Sequence, residues 1–360
     1  MDIGTVSTLN PAMVLLIAAF AAPAIVSIIG ALRPAWVPSA SILTTAIAFV
    51  VALWTFTQPN SVVEVSWAPT WHLMFHLELD GLARMYALLA TGIGLFVVVY
   101  ASRYIPLHLH HGHRAEGEQI RFFGFLLLFM AAMVGLVMSQ DMILIFLFWD
   151  LTAVASYFLI GFDRMEEESR SSAQMAMLVT GITAVLVLIG AVVLDYEYGT
   201  FSLPEIIAEG ELRGHASLAL FLIMLGALAK SAQVPMHFWL PRAMAAPTPV
   251  SAYLHSAAMV AAGVFLIGRF YPLIAMDDDL LLLLQVIGYA SMLVGGIIAL
   301  TRNVLKQILA YSTISQYGYV VFMFGMGGKY GVAGATFYVL AHALVKSALF
   351  LTAGAVTRSE

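Results

Sequence analysis

The sequence predicts an all-α protein that crosses a membrane about eleven times. Of its 360 residues, 61% are apolar and only 10% are charged, whereas a soluble domain carries about 25% charged residues. The apolar residues form runs close to the roughly 20 residues that a helix needs to span a bilayer. Ionisable residues and prolines interrupt several of these runs, and ionisable groups inside a membrane segment typically mark an ion path.

Composition also excludes several classes of function. The chain contains no cysteine, which rules out disulfides, thiolate metal sites and thiol catalysis. It contains no glycine-rich phosphate loop or dinucleotide fingerprint, and no basic run that favours nucleic-acid binding. We therefore expect no cofactor, no metal and no nucleic-acid partner, and we expect the lipid bilayer to surround the protein.

Each long apolar run is assigned to one predicted span. The eleven spans are residues 12–32, 39–57, 81–102, 122–139, 142–162, 172–194, 216–240, 250–272, 280–300, 304–326 and 332–356. The last two contain lysine and histidine and are weaker by hydropathy alone.

Three connections are too polar to cross a membrane. Residues 58–80 are rich in tryptophan and histidine and are predicted to form an interfacial loop or hairpin. Residues 195–215 carry five carboxylates, and Pro204 favours a short surface helix there. Four histidines in residues 108–113 favour a solvated loop, with a metal site as the alternative.

The placement of lysine and arginine predicts the orientation, because cytoplasmic loops are enriched in both residues. With the N-terminus outside, nine arginines fall in inside loops, against three or four basic residues outside. The outside group contains Arg213, Arg269 and Lys329, with Arg84 near a span boundary. We therefore predict an outside N-terminus, and we place Asp141 at the outer interface.

The seventh span carries the most informative feature of the chain, a lysine followed by two prolines. Lys230 ends a long apolar run, and Pro235 and Pro241 follow it. Proline removes a backbone donor and breaks a helix, and a broken membrane helix persists only where protein or water satisfies the freed groups. Because apolar residues continue beyond Pro235, a lysine snorkelling to the interface is the weaker explanation. The pattern favours a proton carrier at a helix break.

Two further ionisable residues lie inside predicted spans. Asp150 lies in the middle of the fifth span, where a carboxylate must be protonated, paired or hydrated. It is either a proton site or charge partner, or a structural carboxylate bonded to a neighbouring helix. His255 lies six residues into the eighth span. It is either a proton relay or an imidazole that is only hydrogen-bonded to a neighbouring helix.

The last two spans contain three more candidates. Lys306 begins the tenth span, and with Arg302 close by it is also explained as a lysine at the cytoplasmic edge. His342 and Lys346 are four residues apart in the eleventh span and therefore share one helix face, which Tyr338 extends by one turn. Two ionisable groups on one face of an apolar helix favour a hydrated polar axis.

Several stretches of the sequence resemble the antiporter-like subunits of respiratory complex I and of Mrp-type cation/proton antiporters. The resemblance is carried by Lys-Ser-Ala-Gln-Val-Pro at 230–235 and by Pro-Thr-Pro-Val-Ser-Ala at 247–252. Phe-Trp-Asp-Leu-Thr at 148–152 is similar to the family's Phe-Trp-Glu-Leu-Thr motif. The stretches around 306–313 and 342–346 fit as well, so that the similarity covers about residues 80–356, and it is nearest to the large A-type subunits of Mrp antiporters.

The resemblance implies two inverted five-helix repeats joined by a polar axis along the membrane midplane, with a broken helix in the seventh span. Residues 1–120 then form an N-terminal three-span region, residues 121–275 the first repeat, and residues 276–360 an incomplete second repeat. Asp150 and Lys230 are implied to form a charge pair. His255, Lys306, His342 and Lys346 continue the axis as further proton-translocation residues.

The sequence departs from the family pattern in two places. The usual glutamate is Asp150, which is one methylene shorter and reaches less far toward Lys230. The family also continues through a second broken helix with another basic residue, and no stretch up to Glu360 matches it. We therefore expect a chain truncated after the eleventh span, with three explanations: a fragment, a complementing second chain, or a missing second half-channel.

The function implied is that of a proton-translocating subunit of a multisubunit monovalent cation/proton antiporter, working with other membrane subunits and with Na⁺ or another monovalent cation. Its implied location is the bacterial inner membrane. One alternative is a proton-pumping subunit of a redox-driven complex of the NADH-quinone oxidoreductase or membrane hydrogenase type, with the redox centres on partner subunits. Another is an energising or scaffold subunit of a bicarbonate-uptake complex. In each case the chain carries no catalytic or redox centre of its own.

Overall fold

The computed structural model describes residues 10–71, 73–112, 114–115 and 117–359. The helices in chain order are α1 (Pro11–Leu32), α2 (Val37–Thr55), α3 (Gly81–His111), α4 (Glu118–Met138), α5 (Met142–Ile160), α6 (Glu167–Tyr198), α7 (Leu203–Ala208), α8 (Ala216–Lys230), α9 (Trp239–Arg242), α10 (Thr248–Ser256), α11 (Met259–Ile274), α12 (Asp278–Leu300), α13 (Leu305–Met326) and α14 (Gly328–Ser359). Strands β1 (Val62–Ala68) and β2 (Leu73–Glu78) lie between α2 and α3.

These helices confirm an all-α polytopic membrane protein. In the described part of the chain, nine helical segments are long and apolar enough to cross a membrane. Each of the eleven predicted spans contains an observed helix or pair of helices. The seventh holds α8, a shorter apolar helix, and the tenth holds α13, which is not among the nine. The number of spans therefore stays a prediction.

Aspartates mark the beginnings of three of the long helices. The side chains of Asp80, Asp141 and Asp277 accept hydrogen bonds from backbone amides in the first turns of α3, α5 and α12. The first amides of a helix have no partner within the helix, and an aspartate at the N-cap satisfies them. Short polar connections between apolar runs thus fix where these helices begin.

The connection at residues 58–80 is a hairpin, one of the two predicted forms. Strands β1 and β2 pair antiparallel from Val62↔Glu78 onward. The hairpin covers the α4–α5 connection, because Asp141 accepts a hydrogen bond from the Met74 amide at 3.0 Å. Asp141 is only 1% exposed. The hairpin therefore buries this side chain, and its position at the outer membrane interface stays a prediction.

Helix α3 extends beyond its predicted end at residue 102 and continues to His111. His108, His110 and His111 lie in its last turn, so the predicted loop is wrong for them, and His113 lies outside the described residues. The long polar end of α3 interrupts the hydropathy of the span but not its helical geometry. Among the residues that the structure describes, no group of three side chains suited to a metal is found.

Two helix breaks lie at the centre of the bundle. The predicted break follows Lys230, where α8 ends and Ala232 adopts a left-handed backbone conformation (φ 52°). A second break at Ala257–Ala258 separates α10 from α11, whereas the sequence predicts one continuous eighth span. No proline or glycine lies at that second break, so the sequence gives no local signal for it. The residues from Thr248 to Ile274 are almost completely buried.

Close packing of α11 against α8 depends on Gly263. A Cβ added there would lie 2.2 Å from the Ala227 carbonyl oxygen and 2.8 Å from the Ser231 nitrogen. Gly263→Ala is therefore expected to lower the thermal stability of the detergent-purified protein, since overpacking costs about 1–3 kcal/mol. Gly181→Ala in α6 is the control, because its added Cβ would meet nothing within 4 Å. Equal melting temperatures for the two variants would contradict this packing.

Arg269 corrects the predicted loop assignment. It lies in α11 rather than in an outside loop, and it is 7% exposed. Its guanidinium pairs with both carboxylate oxygens of Asp80, at 2.5 and 3.2 Å, and donates to the Val137 carbonyl at 2.9 Å. A buried arginine of this kind is stable only when it is paired. The pair joins α11, the start of α3 and the end of α4.

Candidate functional site

Lys230 lies at the centre of the bundle and is fully buried (0% exposed). Its Nζ donates to the Trp149 carbonyl at 2.7 Å and to the Thr152 hydroxyl at 2.6 Å. The same nitrogen lies 4.0 Å from the centre of the Trp149 ring, a distance at which a cation is attracted by the ring face. The last turn of α8 and the middle of α5 therefore form one site around this amine.

Asp150 is not in direct contact with Lys230. None of its carboxylate oxygens lies within the 4.0 Å of Nζ that defines an ion pair, although its charge still acts on the lysine. The side chain is half-buried, whereas Trp149 and Thr152 are buried. The charge pair implied by the resemblance is thus an interaction at a distance, and the immediate partners of the lysine are neutral oxygens.

Side chains and backbone groups around the break after Lys230 are hydrogen-bonded to neighbouring elements. The Ala229 carbonyl accepts from the Trp239 indole at 2.9 Å. Ser231 donates to the Val260 carbonyl at 3.0 Å, and the Val234 amide donates to Ser291 at 3.0 Å. Broken helices in a membrane require such partners. The bonds tie the break to α11 and α12.

His255 lies near the end of α10, close to the second break, and is 0% exposed. Both of its ring nitrogens lack a hydrogen-bond partner among the described residues. Its ring centre lies 6.4 Å from that of Trp239 and 6.0 Å from that of Phe350. Trp239, whose indole bonds the end of α8, therefore lies between the Lys230 site and His255.

Lys306 lies in the first turn of α13 and is half-buried. Its Nζ donates to the Ala246 carbonyl at 3.1 Å, and the neighbouring Gln307 donates to the Pro241 carbonyl at 3.0 Å. Both acceptors belong to the segment between the two breaks. Lys306 is thus bonded to the segment between α8 and α10 and is not a freely solvated lysine.

His342 and Lys346 line a cavity of about 370 Å³ together with Ser312, Gln316 and Tyr338. Lys346 is 5% exposed and donates to the Leu309 carbonyl at 3.1 Å and to the Ser312 hydroxyl. The His342 ring is hydrogen-bonded to the backbone of His255, while its Nε2 has no partner in the described residues. The shared face predicted from the four-residue spacing is observed, and it faces a cavity that is lined by both polar and apolar side chains.

Tyr317 belongs to the same cluster, although sequence reasoning missed it. It is fully buried in α13, and its hydroxyl donates to the Ser256 carbonyl at 3.1 Å, at the second break. Its ring lies edge-on to His342, with 4.8 Å between ring centres. From the sequence alone, a tyrosine in an apolar run is most simply explained as a packing residue. Only the break beside it, which the sequence does not predict, indicates a polar role.

These contacts form two groups of ionisable residues. Lys230, with Asp150 nearby, forms the first, and His255, Lys306, His342 and Lys346 form the second, in which the charges of both lysines act on His255. Trp239 lies between the groups. The arrangement brings together amines and imidazoles, which are groups able to take up and release protons, and the described residues present no set of ligands for a metal.

The Thr152 hydroxyl is expected to set the proton equilibrium of Lys230. A hydrogen bond to a charged group contributes about 1.5–3 kcal/mol and one between neutral groups about 0.5–1.5 kcal/mol. The difference of about 1 kcal/mol corresponds to about a fivefold change in the ratio of protonated to neutral amine. We expect Thr152→Val to shift the pH midpoint at which Lys230 gains its proton, measured by a pH titration of the purified protein. Thr180→Val is the control, because that buried hydroxyl bonds only within its own helix. Identical pH profiles would contradict this role of Thr152.

The sequence profile of a family described as "NADH:quinone oxidoreductase/Mrp antiporter, TM" matches residues 139–360. Among curated proteins, a probable K(+)/H(+) antiporter A/B subunit of Rhizobium meliloti (strain 1021) is 40% identical over 296 residues, which is 81% of this chain and 29% of that protein. The chain therefore spans less than a third of the length of this relative.

Two solved structures have a similar fold. A chain of the Mrp complex from Dietzia sp. DQ12-45-1b superposes with a TM-score of 0.85 at 35% identity, over 94% of this chain and 37% of that one. A chain of the membrane-bound sulfane sulfur reductase, an archaeal respiratory membrane complex, gives a TM-score of 0.86 at 19% identity over 96% of this chain and 71% of that one. The second likeness concerns the fold alone.

Proposed function

The chain belongs to the NADH:quinone oxidoreductase/Mrp antiporter transmembrane family, and from this premise we propose that it moves protons in a multisubunit monovalent cation/proton antiporter. The observation that carries this proposal is Lys230, a fully buried amine held by neutral oxygens at a helix break. Buried ionisable groups in membrane segments are expensive and typically functional. The similarity to the Rhizobium protein and to the Dietzia complex supports the antiporter assignment.

In this mechanism Lys230 takes up and releases a proton without losing its partners. The ammonium donates to the Trp149 carbonyl and the Thr152 hydroxyl. After a proton leaves, the neutral amine still donates to the carbonyl, and the Thr152 hydroxyl turns to donate to the amine. The charge of Asp150 acts on the amine from outside ion-pair distance, without forming a fixed salt bridge.

The second group continues the path through the polar axis. His255, with both ring nitrogens unpaired among the described residues, receives protons by way of ordered water, and the His342 ring bonds its backbone. Lys346 and Lys306 act on His255 through their charges. Asp150, Lys230, His255, Lys306, His342 and Lys346 are therefore the proposed proton-translocation residues.

The proposed partners, membrane location, orientation and exchanged ion are those expected from the sequence. The chain works with other membrane subunits in the bacterial inner membrane, with its N-terminus outside, and the exchanged ion is Na⁺ or another monovalent cation. Residues 121–275 act as the first five-helix repeat after the N-terminal region (1–120), and residues 276–360 begin the second repeat. Basic residues favour the inside loops, which supports the orientation.

The experiment that tests the function measures exchange in everted membrane vesicles that contain the full-length protein and its partner subunits. A separate proton pump in the vesicle membrane first establishes a proton gradient. Na⁺ or K⁺ is then added outside the vesicles. The antiporter proposal predicts that cation addition dissipates the gradient when no electron donor is present. A proton flux that depends on an electron donor and ignores both cations would replace the proposal with a redox-driven pump.

A further inference from the structure

A cluster of charged residues joins three helix ends on the side of the bundle where α3 and α5 end. His108 Nε2 lies 2.9 Å from a carboxylate oxygen of Asp163, and Arg114 bonds the same oxygen. Arg114 also bonds Glu118 in α4 and the Phe162 carbonyl. The side chains of His108 and Asp163 keep 29% and 18% of their surface exposed. The cluster is therefore partly open to water.

A row of aromatic side chains on one face of α3 leads inward from this cluster. Tyr100, Tyr104 and His108 are spaced four residues apart, and neighbouring ring centres lie 5.7 and 5.8 Å apart in stacked geometry. Residues four apart on a helix lie one above the other. The row thus presents two hydroxyls and one imidazole in sequence over two turns, all of them groups that donate and accept hydrogen bonds.

The inner end of this row reaches the polar axis near Lys306. A Cβ added at Gly354 in α14 would lie 2.8 Å from the Tyr100 hydroxyl and 2.3 Å from Thr248 Cγ2. Tyr100 therefore lies where α3, α10 and α14 meet. Thr248 comes two residues after Ala246, whose carbonyl accepts from Lys306 Nζ at 3.1 Å.

We propose that Tyr100, Tyr104, His108 and Asp163 form a proton route between Lys306 and the aqueous side at the α3–α4 connection. The inference rests on the proposed function, and it identifies one place where the proton path opens to water. A proton that leaves Lys306 is taken up by a hydroxyl or bridging water, while the proton already on that group moves to the next. One proton enters and one leaves, so the route needs no oxidant, reductant or cofactor.

Asp163 is suited to hold a proton on His108 at the water-exposed end of the route. Burial alone would raise the pKa of Asp163, but the hydrogen bonds and positive charges of His108 and Arg114 outweigh it and hold the pKa below its usual value. The charged groups around His108 and Asp163 are Arg114, Arg121, Arg164, Glu118 and Lys306. Asp163 thus remains a carboxylate at neutral pH, and its negative charge attracts a proton that arrives at His108.

The test compares exchange rates in vesicles that contain the whole complex. Tyr104→Phe keeps the stacked ring and removes only the hydroxyl, so that packing is preserved. Asp163→Asn removes the terminal charge. We expect Tyr104→Phe to lower the exchange rate about tenfold, which corresponds to about 1.4 kcal/mol, and Asp163→Asn to shift the pH at half-maximal rate. Tyr289→Phe is the matched control, because Tyr289 is 55% exposed on α12.

The outcomes separate this inference from the function on which it rests. If Tyr104→Phe and Asp163→Asn leave both rate and pH profile unchanged while Lys230→Ala abolishes exchange, the route is overturned and the antiporter function stands. If Lys230→Ala also leaves exchange unchanged, the proposed function fails instead. Should Asp163→Asn prevent assembly because Arg114 loses a partner, Tyr104→Phe alone decides the matter, since it leaves every charge in place.

Discussion

Replacing Lys346 by methionine is expected to stop cation/proton exchange almost completely. Methionine has a similar length and keeps the apolar packing of α14, but it carries no proton. Lys346 is 5% exposed and lines the same cavity as His342. Positioned acid–base groups contribute about 100-fold to 10,000-fold to a proton-transfer rate. We therefore expect the initial exchange rate, measured in everted vesicles, to fall by at least about 100-fold.

The control for this experiment is Lys329→Met, because Lys329 is exposed at the start of α14. It makes the same substitution at a position outside the axis. Both variants are first compared for the amount of assembled complex, so that the exchange rate refers to equal protein. A Lys346→Met complex that exchanges at the rate of the Lys329→Met complex would remove Lys346 from the proposed path.

Replacing Arg269 by methionine is expected to destabilise the protein more than any other single change considered. Arg269 is 7% exposed and pairs with both oxygens of Asp80. Removing one partner of a buried ion pair leaves an uncompensated charge and costs about 3–5 kcal/mol. The expected result is a clear drop in melting temperature of the purified protein in detergent, with loss of the contact between α11 and α3.

A double variant separates the ion pair from packing. Arg269→Met combined with Asp80→Asn removes both charges, and we expect it to recover part of the lost stability, because residues in contact are not additive. Arg302→Met serves as the control for loss of an arginine, since Arg302 is exposed and its guanidinium lies over the ring of Tyr311. If the double variant is as unstable as the sum of its single changes, the pair makes no specific contribution.

The sequence predicted those parts of the structure that have local causes. The break after Lys230 follows from a lysine and two prolines within a dozen residues, and α8 ends at that lysine. The shared face of His342 and Lys346 follows from helical periodicity alone. Both predictions concern residues whose neighbours along the chain decide their geometry.

The sequence does not predict features that depend on contacts between distant parts of the chain. Arg269 is counted among the outside loop residues because it is charged. Its buried partner, Asp80, lies 189 residues away and cannot be recognised from the sequence. The break at Ala257–Ala258 has no local signal, because it is held by groups such as Tyr317 from another helix. The neutral oxygens around Lys230 include a backbone carbonyl, which no side-chain motif reveals. Tertiary packing decides each of these cases.

The histidines at the end of α3 show a similar limit. A run of polar residues after an apolar span favours a loop in a hydropathy analysis, yet the helix continues through His108 to His111. His108, and Arg114 just beyond the end of the helix, find partners in the α5–α6 connection. The residues predicted to form a solvated loop therefore belong to a structured cluster, which joins the end of α3 and the α3–α4 connection to the α5–α6 connection.

The central claim is that Lys230 carries the transported proton. Its most direct test is the rate at which an added Na⁺ or K⁺ gradient drives proton movement in proteoliposomes that contain the assembled complex, compared between the wild type and Lys230→Ala. With equal assembly, the account predicts that Lys230→Ala abolishes this proton movement while Lys329→Ala preserves it. Unchanged proton movement in the Lys230→Ala complex would contradict the account.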